Sequence, residues 1–219
     1  MLVNKIIVEQ NKFYLSDEKV ILSSFPSSFS LFVKGNVYCG IKDFCNKDVK
    51  IYLEENSHLT LEILIYVTNT KNAIKIYNSE SSKLDFYYAC VFCGENELMI
   101  ENEMTTSNNK NQIVVRAVEN DGTLIVKAVG SIEENTKNNE YVEDIKAITK
   151  NNHCIKIMPD LLVKTDSVLA VHNATIAPVD EEELFYLKGK GLEESNATSL
   201  IKEGFLKGII ENEELKEEF

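Results

Sequence analysis

The sequence predicts an all-β body, read as a parallel β-helix, followed by a short C-terminal α-helical segment. Three observations carry that prediction. Short segments rich in Ile, Val, Tyr, Phe and Thr follow one another about every ten residues, the spacing of an all-β chain. The connections between them are polar and rich in Asn, Ser, Glu and Lys, while the 219 residues hold only nine glycines and three prolines. Finally, the texture changes at Pro178, after which apolar residues recur at helical spacing.

Strands are expected over residues 2–8, 19–22, 49–53, 59–67, 73–77, 84–92, 98–100, 113–118 and 124–129. Several alternate cleanly: Val49, Ile51 and Leu53 share one face, and Lys75 stands opposite Ile74 and Ile76. Such alternation fits a strand with one buried and one wet face. Two-residue hairpins usually show Asn-Gly or Asp-Gly, and Asp121-Gly122 is the single clear example. Corners that each advance the chain by one rung therefore fit better than an antiparallel sandwich, although no strict repeat is visible. Residues 1–178 are assigned to this body and residues 179–219 to a helical, partner-docking segment.

Beyond Pro178, Asp180 is placed to cap a helix, with Glu183 at the capping-box position and acids throughout the positive first turn. Leu184, Phe185 and Leu187 supply its apolar side, and Gly189 and Gly191 end it. A second helix is expected over 195–205, with Ala197, Leu200, Ile201 and Phe205 on one stripe. The closing stretch 211–219 carries five acids and one lysine, and reads as a frayed, solvated end.

Composition limits the function classes. The net charge is −12 and the sole arginine is Arg116, so there is no basic face for nucleic acid or for an anionic membrane surface. No apolar run approaches the roughly 20 residues needed to cross a bilayer. Residues 1–8 read as a strand, because Glu9 and Gln10 cut short any signal-peptide apolar region. A cytoplasmic protein is expected. The five cysteines (Cys39, Cys45, Cys90, Cys93, Cys154) are an odd set for a disulfide framework and read mainly as buried small apolar residues.

Few residues point to chemistry. Cys90-Val91-Phe92-Cys93 has metal-ligand spacing, but on a strand residues three apart face opposite ways, and no second pair accompanies it. His172 follows the apolar run 168–171 near the strand-to-helix junction, where it can meet solvent or a partner. His153 and Cys154 could approach it if adjacent rungs stack, and imidazole with thiolate suits iron or zinc. A hydrogen-bonded structural histidine is the alternative. His58 reads as a strand-face residue. The sequence has no phosphate loop, so it does not bind ATP by that route, and it has no G-x-S-x-G elbow, no H-E-x-x-H and no G-x-G-x-x-G.

Three ordered motifs resemble one family. Residues 158–175, from Met158-Pro159-Asp160 through His172-Asn173-Ala174-Thr175, are similar to the end of the SufB/SufD core, where a proline-led strand pair leads into a histidine and then Ala-Thr. Val179-Asp180-Glu181-Glu182-Glu183-Leu184-Phe185-Tyr186-Leu187 resembles that family's acidic turn and Leu-Phe-Tyr-Leu. Leu200-Ile201-Lys202-Glu203-Gly204-Phe205 is similar to its closing Leu-Ile-x-x-Gly-Phe. Upstream, residues 115–122 and 126–130 look like the preceding rung pair.

The resemblance implies a right-handed parallel β-helix and a non-enzymatic scaffold in iron–sulfur cluster assembly. It implies pairing with a SufB-like subunit or as a homodimer, and docking of a SufC-type ATPase on the helical segment, with Leu184, Phe185, Tyr186 and Leu187 supporting or forming that surface. It also implies that His172, with Cys154, faces a transient iron–sulfur cluster, with no permanently bound cofactor. The departures are specific. Gly189-Lys190-Gly191 replaces the family's Ser-Arg-Gly, losing a planar guanidinium. Asn173 stands where SufB commonly has a glutamate, and the stretch 142–145 lacks the SufB cysteine. The long N-terminal helical region of larger relatives is also missing. The chain thus looks SufD-like, or like a short divergent homologue. A β-helix carbohydrate-active enzyme would need acids beside basic or aromatic partners, which one arginine and no tryptophan serve poorly. A structural adaptor without metal contact is the third reading.

Overall fold

Asparagine at the corners explains how this chain coils. Asn56, Ser81, Asn108 and Asn138 have φ of 57°, 57°, 62° and 55°, and at a second corner Asn46, Asn69 and Gly94 have φ of 53°, 52° and 64°. Asn and Gly enter this left-handed region at least cost, so rungs can turn sharply with few glycines. The corners are tied to one another: Asn56 N donates to Glu80 O, Ser81 N to Ser107 O, Asn108 N to Lys137 O and Asn138 N to Ser167 O.

The computed structural model describes residues 7–150, 154–217 and 219, with the backbone alone of 7–9. The predicted strand 2–8 thus lies mostly outside the described residues, and His153 lies wholly outside them. An antiparallel pair opens the fold, β1 (Ile7–Glu9) and β2 (Lys12–Ser16), joined by Gln10 and Asn11 at positive φ. Then follow β3 (Lys19–Leu22), β4 (Ser28–Lys34), β5 (Asn36–Ile41), β6 (Asp48–Leu53), β7 (His58–Thr68) and β8 (Lys71–Asn78). Two long strands, β9 (Lys83–Met104) and β10 (Lys110–Ile132), precede β11 (Asn139–Ile148), β12 (Ile155–Val163) and β13 (Val168–Ala177).

From β2 onward every pairing is parallel, and successive strands alternate between two columns. One column stacks β2, β4, β6, β8, the second halves of β9 and β10, and β12. The other stacks β3, β5, β7, the first halves of β9 and β10, β11 and β13. The result is the expected parallel β-solenoid, of about 5 turns, with three short helices near the C-terminus. Its lumen is filled by one apolar cluster running from Phe13 to Ile155. Val49, Ile51 and Leu53 are buried there, as their alternation predicts.

The segments 113–118 and 124–129 are arms of the single strand β10, which bends at a bulge between Glu119 and Asp121. Asp121-Gly122 is consequently a solenoid corner and not a hairpin. A Cβ on Gly122 would stand 2.3 Å from Gly94 O, so the close approach of two rungs dictates glycine here.

The helices are α1 (Glu181–Gly189), α2 (Glu194–Lys207) and α3 (Glu213–Glu217). Asp180 caps α1 as its sequence predicts, accepting from the N–H groups of Glu182 and Glu183. In α2, Ala197 and Leu206 are the buried residues, whereas Leu200 of the predicted stripe is exposed. The acidic end differs most from expectation. Ile210 and Leu215 are buried with Leu64, Ala89, Val118 and Ile148 on the outer face of the solenoid. Glu62, itself fully buried, accepts from Glu211 N (2.8 Å) and Asn212 N (3.1 Å) and straps this tail down. Local composition could not reveal an acceptor 149 residues away. Among the described residues, no helix is long and apolar enough to cross a membrane.

Candidate functional site: the open end of the solenoid

The two ends of the solenoid differ. At the C-terminal end, β12 and β13 form the last rung, and no further strand is laid on either among the described residues. Several of their apolar side chains are exposed: Val163 in the lumenal row, and Leu162, Leu169 and Val171 on the outer face. Pro159 lies within β12, so that edge lacks one donor, while β13 carries no proline.

His172 sits in the middle of β13. In a parallel stack, register partners point the same way, so strand parity locates its side chain. Tyr141, Glu143, Ile145 and Ala147 of β11 are buried in the lumen, and their partners on β13 are Ala170, His172, Ala174 and Ile176. Ala170 and Ile176 pack on the core. His172 belongs to this lumenal row, yet is exposed because none of the described residues covers it on the last rung. Directly beneath it, Glu143 is 1% exposed and accepts from Tyr141 Oη at 2.7 Å. Burial pushes the Glu143 carboxyl above the usual carboxylate range, while the Tyr141 hydrogen bond and the nearby His172 pull it back down. Burial first, then Glu143, raises Tyr141, so the phenol stays a donor.

Cys154 has different company. It immediately precedes β12, where its carbonyl accepts from Leu124 N, and its thiol neighbours Glu119 and Asp121. Desolvation and then those carboxylates raise its pKa, which disfavours the thiolate that metal binding requires. The register neighbour of His172 is Glu143, not Cys154, and the described residues contain no group of three or more His, Cys, Asp or Glu side chains able to hold a metal ion. Cys90 is buried, with its thiol pushed up to about 12 by desolvation, while Cys93 sits at a corner 3.2 Å from Asn120 Nδ2. The C-x-x-C pair thus faces two ways, as a strand requires. His58 pairs with Asp85 at 2.7 Å on the strand surface.

Next to Asn173, its register partner Asp144 is held by Arg116, which also donates to Asp144 O and lies 5.7 Å from the Phe205 ring of α2. The sole arginine therefore fastens α2 to the strand beside the open end. Between the helices and the last rungs lies a cleft of about 650 Å³, lined by Ile148, Ala177, Leu187, Ile201 and Phe205 among others.

The predicted docking residues lie on α1, which buries no residue. Leu184 and Leu187 are half-buried, whereas Phe185 is 80% and Tyr186 62% exposed. The four therefore divide: two leucines hold the helix, and two aromatic rings face outward. The sequence reading missed Glu143, Tyr141 and the Arg116 fastening. The signal for the first two lay in the stretch 143–147, where Ile145 and Ala147 alternate with Asp144 and Lys146 and put Tyr141 and Glu143 on the same face.

Comparison with known proteins points to one family. The model of the family described as "SUF system FeS cluster assembly, SufBD core domain" matches residues 49–205, from β6 through α2. An iron–sulfur cluster assembly SufBD family protein of Methanocaldococcus jannaschii is 27% identical over an alignment covering 91% of this chain and 74% of its own length. Another from Pyrococcus horikoshii is 41% identical over 54 residues, 25% of this chain and 12% of the relative. With a matched region that begins inside the solenoid and ends in the second helix, the chain belongs to the SufBD family.

Proposed function

We propose that this chain is a non-enzymatic scaffold subunit of a SUF-type iron–sulfur cluster assembly complex in the cytoplasm, docking a SufC-type ATPase through α1 and pairing through its open end. Family membership supports the setting in iron–sulfur cluster assembly. One observation carries the docking role: α1 buries nothing, and it directs Phe185 and Tyr186 outward. Two large aromatic rings side by side on an otherwise acidic helix serve no core of their own, and aromatic anchors of this kind are enriched at interface centres.

The pairing role follows from the uncovered last rung, which presents strand edges and apolar side chains to a SufB-like subunit or to a second copy. The cluster is cargo in this reading and not a resident cofactor. His172 faces it from the lumenal row, and the raised thiol of Cys154 makes that residue the weaker candidate. The experiment is copurification of the chain with a SufC-type ATPase. Phe185→Ala combined with Tyr186→Ala should weaken the complex by at least about 2 kcal/mol, the threshold for hot-spot residues, while leaving the circular dichroism unchanged. An undiminished complex with the folded double variant would remove α1 from the docking surface.

A further inference from the structure

One oxygen at the open end has no partner. Glu143 Oε2 accepts from Tyr141, but Oε1 is buried and makes no hydrogen bond among the described residues. A buried carboxylate oxygen left unpaired is costly, and native structures seldom retain one without a reason. The neighbours narrow the choice of donor. Within its column Glu143 has Ile113 on the rung below and His172 on the rung above; along its own strand, Tyr141 and Ile145 share its face. Two of these four side chains carry a proton to give. Tyr141 is already committed to Oε2, which leaves the imidazole of His172, one strand spacing of roughly 4.8 Å away.

We propose that Glu143 is the positioning residue of His172: its free Oε1 accepts one imidazole N–H, fixing the tautomer and turning the other ring nitrogen out of the open end. Metal-ligating histidines characteristically donate their second nitrogen in this way, and the bond both orients the ring and raises its basicity. The electrostatic influence of His172 on the Glu143 carboxyl agrees with their proximity. Tyr141 completes the arrangement by pinning the carboxylate from the other side. Its ring fills the space over Gly130, where an added Cβ would stand 2.7 Å from the ring. The functional meaning of this pair rests on the reading of His172 as the cluster-facing residue, but the hydrogen bond itself does not.

The test is the ring ¹⁵N spectrum of His172, assigned by its disappearance in His172→Ala. In the unsubstituted protein, one neutral tautomer should dominate. Glu143→Gln keeps a carbonyl acceptor and should preserve that tautomer, whereas Glu143→Leu, matched to its apolar neighbours Ile113 and Ile145, should give the averaged shifts of a free imidazole with the fold intact. Unchanged ring shifts in Glu143→Leu, or a free-imidazole pattern before any substitution, would overturn the proposal. Cluster yield in the reconstituted complex is measured alongside. Normal yield from His172→Ala, with the tautomer pattern as expected, would reject the cluster-facing role and leave the positioning bond standing.

Discussion

At the residue scale, the solenoid depends on asparagines that occupy two different stations at the corners of Asn108-Asn109 and Asn138-Asn139. Asn108 turns the chain at positive φ, while its neighbour Asn109 is fully buried. Asn109 Oδ1 accepts from both Ser82 N and Ser82 Oγ at 3.0 Å, its Nδ2 donates to Thr106 O at 2.9 Å, and its own N–H donates to Asn139 Oδ1 at 2.9 Å. A ladder of this kind is high-stakes, because each missing member orphans a backbone group on the next rung. Asn109→Ala should therefore destabilise the fold by about 1–3 kcal/mol, as measured by urea unfolding, because buried Ser82 Oγ loses its acceptor and Ser82 N–H keeps only its longer 3.3 Å bond to Ser79 O. Asn108→Gly, which keeps the left-handed turn, should change stability by only a few tenths of a kcal/mol. Equal losses from the two substitutions would refute the division of labour. The sequence displayed Asn-rich corners but not which asparagine points inward, since that depends on the rung above and below. Glu143 was hidden differently: its parity was readable, but an acid in an acidic chain reads first as solvated.

At the element scale, legibility followed how local each cause is. The start of α1 was readable because Asp180 and the two N–H groups it caps lie within three residues of one another. The split of Leu184 and Leu187 from Phe185 and Tyr186 was less so, because it depends on where α2 lies. The tail containing α3 was misread because its anchor is the remote Glu62, assisted by Tyr38 Oη, by the Lys42–Glu214 ion pair and by Tyr66 stacked on Phe219. The Glu62 carboxylate also raises the Tyr38 hydroxyl pKa, after burial, and so keeps it a donor. Replacing Glu62 with Leu leaves the Glu211 and Asn212 N–H groups and Tyr38 Oη without that acceptor. Two charge-assisted bonds to backbone are worth about 3 kcal/mol together, enough to open the tail locally while the lumenal core stays packed. Limited proteolysis should then cut the Glu62→Leu variant after α2 and leave a stable body. A cleavage pattern identical to the unsubstituted protein would show that Leu215 and Ile210 hold the tail by packing alone.

At the scale of the whole molecule, the two ends of the solenoid differ among the described residues, and the proposed pairing would use that difference. Among the described residues, one end begins with an antiparallel hairpin, and at the other no strand pairs with the last rung. Exposed strand edges are usually blunted by charge, proline or a covering element. Here β12 carries Pro159 and Asp160, whereas β13 offers ten residues without a proline and exposes Leu169 and Val171. The proposed pairing should therefore run along β13, the strand that also carries His172. Placing Lys at both Leu169 and Val171 puts charge on that edge without touching the lumenal row of Ala170, His172 and Ala174. The double variant should keep its unfolding midpoint within a few degrees but lose association by at least tenfold, with a SufB-like chain or with itself, in sedimentation velocity. Net charge of −12 adds a second signature to the self-association arm. Two copies repel through solvent, and raising the salt from 0.01 M to 0.15 M shortens the Debye length from roughly 30 Å to about 8 Å. Self-pairing through an apolar edge should therefore strengthen with salt. Weakening with salt would instead mean that ion pairs hold the copies together, and an unchanged complex with the lysine variant would place the interface elsewhere on the solenoid.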